Sequence, residues 1–292
     1  MNSTKTIFRP SGYFKPTSVA EAIQLLEQHS EGGWFLAGGT DLLVEKDTQV
    51  EVLIDITGLG LNYIKFDDGG VKIGAATTFA EIAVSPVLQK DPYNILAQAA
   101  QQMGTPQVRN MATIGGNICH AVPSADSAPA LLALDATLKA TSKAGERSLN
   151  IIEFFLNVRK DALGKGELLT EIQLPMFPDH TGAAFLKKGR VAVVDLAVVN
   201  TAVRVTLNNN NTCQGVRIVL GAVAPVPLRA REAEAILEGK EPQGELLEKA
   251  AIQAAEEIKP ISDVRSSAEY RKTLSRVIVE RALVEAVAQA RA

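Results

Sequence analysis

Two glycine pairs are the residues of this sequence best suited to bind an anion. One lies in Ala37–Thr40, after the apolar run Trp34–Leu36, and the other lies in Thr113–Asn117. Without a Cβ atom, glycine backbone can turn successive N–H groups towards one phosphate, and the hydroxyl groups of Thr40 and Thr113 add two further donors. We call these segments the first and second glycine turns. Each is expected to end a buried strand, and together they predict a two-sided clamp for a dinucleotide.

A single glycine pair is weak support for such a clamp, because Gly-Gly is also an ordinary turn. Other phosphate-binding patterns do not fit the sequence. No G-x-G-x-x-G follows the first predicted strand, so a Rossmann dehydrogenase is excluded. The Gly-Lys-Thr signature of a Walker-type NTPase is also missing from the sequence. The prediction therefore depends on the two turns acting together.

Composition limits the class of protein. At 292 residues the chain is long enough for two or three domains. Thirty basic against 33 acidic side chains leave no basic field for nucleic acid. The sequence contains no apolar run of about 18 residues, which a membrane span would need. Since residues 1–15 do not resemble a secretory signal, we expect a cytoplasmic protein.

The cysteine and histidine residues are too scattered to hold a metal. Cys119 and Cys213 are far apart in the sequence and neither belongs to a C-x-x-C pair, and the three histidines are equally dispersed. We therefore expect no metal ligands and no iron–sulfur ligands in this chain. If the protein handles electrons, their carrier is organic.

Changes in pattern along the chain predict three regions. An α/β unit that contains the first glycine turn is assigned to residues 1–58, with a helix that begins at Ser18. A second α/β region, residues 59–176, contains the second glycine turn and a helix that begins at Asp126. Long strands and three helices, the last beginning at Ser266, form the region 177–292.

Five ordered blocks carry a family resemblance. They are Phe35–Asp41, Thr113–Asp126, Asp195–Ala197, Gly221–Pro225 and Ile261–Arg271. With these blocks, nearly the whole sequence resembles the FAD-binding subunit of the molybdenum hydroxylases, the family of xanthine dehydrogenase and aerobic carbon monoxide dehydrogenase. The resemblance implies an α+β protein: a two-part FAD-binding α/β region of the PCMH type, then a C-terminal α+β domain with an antiparallel sheet and terminal helices.

The resemblance also implies a set of FAD-binding residues. It implies no catalytic residue and no metal ligand in this chain. The FAD-binding residues are Leu36, Ala37, Gly38, Gly39, Thr40, Asp41, Met103, Thr113, Ile114, Gly115, Gly116, Asn117, Asp126 and Lys188. Three of them have ordinary structural alternatives. Asp126 is equally suited to cap a helix, Met103 to fill a core, and Lys188 to lie on the surface. Thr40 stands where relatives with covalent flavin have histidine, so the FAD is expected to be noncovalent.

The function implied is electron transfer inside a larger complex. A [2Fe–2S] subunit would pass electrons to FAD in this chain, and FAD would pass them to NAD or another acceptor, while a molybdopterin subunit oxidises the substrate. The expected assembly is a heterotrimer or its dimer. Two alternatives stay open: a stand-alone flavin oxidoreductase with its own substrate pocket, and a non-catalytic module that binds FAD or ADP. His120 and Cys119 lie beside the second glycine turn, but they have no evident acid or base partner in the sequence.

Overall fold

The first sheet of the protein is small and parallel. A computed structural model describes residues 8–191 and 195–292, so the first seven residues of the predicted region 1–58 lie outside the described residues. The strands pair in the order β1-β3-β2. The elements of this part are β1 (Gly12–Phe14), α1 (Val19–Gln28), β2 (Gly33–Leu36), α2 (Leu42–Glu45) and β3 (Val52–Asp55). The first glycine turn connects β2 to α2.

The second sheet is antiparallel, with the strand order β4-β5-β10-β6-β7, and all helices of this part except α8 lie between β5 and β6 in sequence. A short separate hairpin, β8 with β9, precedes the last strand. The elements are β4 (Ile64–Asp67), β5 (Gly70–Gly74), α3 (Phe79–Val84), a 3-10 helix (Val87–Gln89), α4 (Asn94–Gln101), α5 (Pro106–Met111), α6 (Ile114–His120), α7 (Ser127–Ala133), β6 (Thr137–Ser142), β7 (Gly145–Asn150), α8 (Ile151–Phe154), β8 (Phe155–Asn157), β9 (Lys160–Asp161) and β10 (Leu168–Leu174).

The third sheet is a meander of four antiparallel strands, and the last helix packs on its first two strands. The elements are β11 (Thr181–Lys188), β12 (Val199–Leu207), β13 (Cys213–Gly221), β14 (Leu228–Arg229), α9 (Arg231–Leu237), α10 (Gly244–Glu257) and α11 (Ala268–Ala290). Together with the two earlier sheets, this arrangement confirms the predicted α+β class. Among the described helices, none is long and apolar enough to cross a membrane.

The second and third sheets share one hydrophobic core. Helix α7 is buried along its whole length and packs against β12 and β13. Ala183, Phe185 and Val219 of the third sheet belong to the same buried cluster as Leu131 of α7. The two parts are therefore held together by apolar packing. The divisions after residues 58 and 176 stay predictions.

An ion cluster adds a second connection between the helices of the second sheet and the third sheet. Asp135, which follows α7, accepts hydrogen bonds from Arg204 at 2.5 Å and from Arg217 at 2.8 Å. The Arg204 side chain is only 7% exposed, and it also donates to the Ala133 carbonyl at 2.8 Å. Burial lowers the pKa of Arg204 to about 10, so the guanidinium stays charged at neutral pH and needs its carboxylate partner.

Three local expectations were wrong. The second glycine turn does not end a strand: Thr113 is the N-cap of α6, and the glycines lie in its first turn. Asp126 stands at the start of α7 with helical backbone angles, and its side chain does not cap the helix. Helix α11 is capped by Ser267, one residue after the position predicted. The caps of α6 and α11 are local hydrogen bonds, from Gly116 N–H to Thr113 and from Tyr270 N–H to Ser267, whereas Asp126 is held by Lys187 and Asn200 of the third sheet.

Replacing Asp135 by Asn tests the ion cluster. The substitution keeps the size of the side chain and suits the left-handed backbone at this position (φ 47°), but it removes the charge opposite the buried Arg204. We expect the free energy of unfolding to fall by about 3 kcal/mol, measured by urea denaturation followed by circular dichroism. Glu248→Ala, which breaks an exposed pair with Arg276, should change it by less than about 0.5 kcal/mol. Equal small effects of both variants would contradict this assignment.

Candidate functional site

The two glycine turns lie on one cavity of about 500 Å3. The turns lie close together, since a Cβ atom on Gly116 would lie 3.9 Å from the Cβ atom of Ala37. Eleven of the sequence-predicted residues line the cavity: Leu36, Ala37, Gly38, Gly39, Thr40, Asp41, Met103, Thr113, Gly115, Gly116 and Asn117. Ile114 is fully buried behind the lining. Asp126 and Lys188 are not part of the lining.

The first glycine turn is in direct contact with the backbone of Met111. A Cβ atom built on Gly38 would lie 1.8 Å from the Met111 carbonyl oxygen, so no other residue fits here without moving one of the two segments. Gly39 has a left-handed backbone (φ 68°). Within residues 8–191 and 195–292, the N–H groups of Gly38, Gly39 and Thr40 donate to no protein acceptor. The first turn therefore offers three consecutive unused donors beside the cavity.

The second glycine turn has a different chemistry, because its N–H groups are already used. Gly115 donates to the Ala75 carbonyl at 2.9 Å, Gly116 to the Thr113 hydroxyl at 3.2 Å, and Asn117 to the Thr113 carbonyl at 3.0 Å. A Cβ atom on Gly115 would lie 2.7 Å from the Ala75 oxygen, so this glycine is required for packing. The Thr113 hydroxyl accepts from Gly116 and keeps its own proton to donate. The second turn thus supplies shape and one hydroxyl donor.

Asp126 joins the second and third sheets behind the cavity. Its carboxylate accepts from Lys187 Nζ at 2.5 Å and from Asn200 Nδ2 at 2.8 Å. Burial raises the pKa of the Asp126 carboxyl, and the Lys187 ammonium and Asn200 amide act against that rise. Lys187 Nζ also donates to the Gln102 carbonyl at 3.0 Å, directly before Met103 of the cavity lining. Asp126 therefore positions the segment that carries Met103.

Lys188, the predicted basic residue, lies on the exposed side of β11, whereas its neighbour Lys187 is directed inward with a side chain 7% exposed. Successive side chains of a strand point to opposite faces, so only one of two adjacent lysines can reach the interior. The sequence shows two adjacent lysines, but which of them faces the interior depends on the orientation of β11 in its sheet.

Several residues of the cavity were missed by sequence reasoning. They are Trp34, Phe35, Leu42, Glu45, Asp47, Ile56, Ala75, Ala112, Arg159, Asp161, Leu163, Glu167, Leu168 and Leu169. The last six lie on the β8–β9 hairpin or on the segment that follows it, more than 100 residues after the first glycine turn. No motif in the sequence marks this hairpin, so only its folded position could have revealed it. Cys119 and His120 also line the cavity.

Burial or a neighbouring group shifts the pKa of three ionisable cavity residues, Cys119, Asp161 and Glu167. Burial raises the pKa of the Cys119 thiol, and the nearby Asp161 carboxyl adds to the rise. Burial also raises the pKa of Asp161, whose Oδ1 accepts from the Leu163 N–H at 2.8 Å. Glu167 is paired with Arg147, which holds its pKa below the usual range. These groups form no nucleophile–base pair of the kind that acyl or proton transfer needs.

Comparison with known proteins assigns both halves of the chain. Residues 7–177 match the family described as the FAD binding domain in molybdopterin dehydrogenase, and residues 184–286 match the CO dehydrogenase flavoprotein C-terminal domain. The chain belongs to this family. It is an FAD-binding subunit of the xanthine dehydrogenase and CO dehydrogenase type, as the sequence resemblance predicted.

Individual relatives agree with this assignment over almost the full length of the flavoprotein subunit. The chain is 32% identical over 290 residues to a putative xanthine dehydrogenase FAD-binding subunit of Escherichia coli, and the alignment covers 97% of this chain and 98% of the relative. It is 35% identical over 275 residues to the carbon monoxide dehydrogenase medium chain of Hydrogenophaga pseudoflava, covering 93% and 95%. A solved carbon monoxide dehydrogenase structure from that organism superimposes with a TM-score of 0.91 at 35% identity, covering 96% and 98%.

Both cysteines of the flavoprotein subunit should be unreactive in the native state. Burial raises the pKa of Cys213 to about 11 and raises that of Cys119 as well, so both stay protonated at pH 8 and the reactive thiolate is scarce. With Ellman's reagent at pH 8 we expect no fast thiol in the folded chain and two in guanidinium. One fast thiol in the folded chain would show that the side chain of Cys119 is accessible from the cavity.

Proposed function

We propose that this subunit holds FAD noncovalently in the cavity between the two glycine turns and relays electrons through it. The observation that carries the proposal is the set of unused N–H donors at Gly38, Gly39 and Thr40, beside a cavity that the second glycine turn closes. A diphosphate needs several donors in one place, and backbone N–H groups provide them without a counter-charge. The Thr113 hydroxyl would add a donor from the opposite side.

The lining of the cavity combines charged side chains with apolar surface. The cavity is lined by carboxylates, among them Asp41 and Glu45, together with the guanidinium of Arg159. Glu45 is paired with Arg159, so the two charges offset each other near the first turn. The apolar side chains of Leu36, Met103 and Leu169 would cover the aromatic rings of the cofactor.

When bound, FAD supplies the redox chemistry, because it can exchange both single electrons and electron pairs. The role of the protein chain is to bind and orient FAD and to keep other reactions out of the cavity. The cavity groups Cys119, Asp161 and Glu167 are a protonated thiol, a hydrogen-bonded carboxyl and a paired carboxylate. These three groups offer no free base of the kind that a stand-alone oxidoreductase would need beside the flavin, and His120 is engaged by Glu45, whose Oε1 lies 3.0 Å from Nε2.

The partners we propose are a [2Fe–2S] subunit, which would deliver electrons, and a molybdopterin subunit, which would oxidise the substrate. The relatives are named as subunits or medium chains, and the solved structure from Hydrogenophaga pseudoflava is described as lacking the Mo-pyranopterin moiety of its molybdenum cofactor. The proposed assembly is a heterotrimer or its dimer. NAD is proposed as one acceptor for the electrons, and another acceptor would serve the same role.

Replacing Gly38 by Ala should remove the cofactor. The new Cβ atom would collide with the Met111 carbonyl oxygen and move the first glycine turn away from the second. We expect at least a tenfold loss of FAD per chain after gel filtration. The matched control is Gly244→Ala, where a Cβ atom has no neighbour within 4 Å and FAD should be retained.

The FAD is measured after acid precipitation, by absorbance of the supernatant. Recovery of the flavin there supports noncovalent binding, and yellow colour in the pellet would contradict it. Wild-type FAD content in Gly38→Ala would show that the cofactor lies elsewhere.

Dependence on partners is tested by expressing the subunit alone and with the genes encoded beside it. Alone, the chain should contain FAD but show no turnover with purines, aldehydes or carbon monoxide, because no substrate-oxidising group belongs to it. Affinity purification of the tagged chain should recover a [2Fe–2S] chain and a molybdopterin chain, identified by mass spectrometry and metal analysis. Substrate turnover by the isolated chain would contradict the proposal.

A further inference from the structure

One carboxylate joins the three segments that surround the cavity mouth. Glu45 accepts hydrogen bonds from both terminal nitrogens of Arg159, at 2.9 and 2.6 Å, and its Oε1 lies 3.0 Å from His120 Nε2. We call Glu45, His120 and Arg159 the clasp. A bidentate guanidinium–carboxylate pair fixes orientation as well as distance, and a third partner adds to it.

The clasp is the main side-chain connection of α2 to the rest of the cavity wall. Helix α2 follows the first glycine turn directly, is four residues long and contains no buried residue. Leu43 and Val44 are 43% and 74% exposed, so apolar packing holds this helix weakly. His120 ends α6, which begins with the second glycine turn, and Arg159 lies between β8 and β9. The clasp thus connects both turns to the hairpin.

Each of the three segments joined by the clasp has one non-glycine residue with a left-handed backbone. Among the described residues, seven non-glycine residues have a left-handed backbone, and three of them are Lys46 (φ 54°), Ala121 (φ 48°) and Arg159 (φ 57°). Lys46 follows Glu45, and Ala121 follows His120. The Arg159 N–H donates to the Ala121 carbonyl at 2.9 Å, so two of the strained residues support each other. Lys46 and Ala121 are the C-caps of α2 and α6, where a left-handed residue commonly ends a helix, so the two helices end beside the hairpin residue Arg159.

The remaining nitrogen of His120 faces the first glycine turn. His120 Nδ1 is buried and has no hydrogen-bond partner among the described residues, and it lies 3.6 Å from Asp41 Oδ1, at the end of the first turn. The imidazole therefore stands between the first turn and Glu45. A movement of α2 away from α6 would have to separate both carboxylates from this ring.

We propose that Glu45 is a positioning residue that sets the separation of the two glycine turns and thereby governs how fast FAD leaves the cavity. This rests on the proposed function, since it assumes FAD between the turns. Glu45 acts through Arg159 and His120, and Arg159 also offsets its negative charge near the bound diphosphate. Release of the cofactor requires α2 to move, and the clasp is the set of contacts that must break first.

The test measures exchange of bound FAD against excess radiolabelled FAD in the purified full chain. Glu45→Ala and Arg159→Ala should each exchange about tenfold faster than wild type, because each removes charge-assisted hydrogen bonds. The double variant should be no faster than the faster single variant, since the two residues share one interaction. Glu45→Gln, which keeps an acceptor but loses the charge, should lie between wild type and Glu45→Ala. Glu248→Ala, which breaks the exposed pair with Arg276, is the matched control and should exchange at the wild-type rate.

A second readout separates positioning from general stability. Raising the salt concentration from about 0.05 to 0.5 M should accelerate exchange in wild type, because salt screens the clasp charges, and should leave Glu45→Ala unchanged. Two results would overturn the proposed role of Glu45. One is FAD exchange within twofold of the wild-type rate in both single variants, and the other is a salt response in Glu45→Ala equal to that of wild type. A wild-type chain that contains no FAD would instead overturn the proposed function, so the two failures are distinguishable.

Discussion

The site depends on the close approach between the Gly38 backbone and the Met111 carbonyl. A side chain at Gly38 would begin 1.8 Å from that oxygen, so the first glycine turn can rest on the segment that leads into the second only because the residue is glycine. This contact brings together two turns that are separated by more than 70 residues. The cavity between the two turns follows from it.

Two different chemistries meet across this cavity. The first turn is a loop with donors left over, whereas the second is the beginning of a helix whose donors are used for folding. One side is thus adaptable and the other rigid. The charged residues nearby are paired with one another, as in Glu45 with Arg159 and Glu167 with Arg147. A site of this kind binds and orients a cofactor, and the reactivity belongs to the cofactor.

The third sheet supports the cavity from behind. Lys187 reaches from β11 to Asp126 and to the Gln102 carbonyl, and Asp135 reaches from the end of α7 to Arg204. Lys187, Asp126 and Arg204 are buried, so a break in either connection leaves an uncompensated buried charge. Together with the shared apolar core, they fix the segment that carries Met103. The third sheet therefore supports a cavity that it does not itself line.

The sequence by itself determined the family, the α+β class and eleven residues of the cavity lining, because glycine pairs, helix caps and alternating strands are local patterns with local physical causes. It placed Gly38 and Gly39 in a turn, and it predicted that Thr113 and Gly115 lie on the same cavity, although it assigned them the wrong local structure. Only the tertiary structure decided the rest. Lys187 faces inward instead of Lys188 because of the orientation of β11 in its sheet. Asp126 pairs with Lys187 of the third sheet instead of capping α7. Glu45, His120 and Arg159 meet although the sequence separates them by up to 114 positions, since their partnership depends on which segments fold against each other.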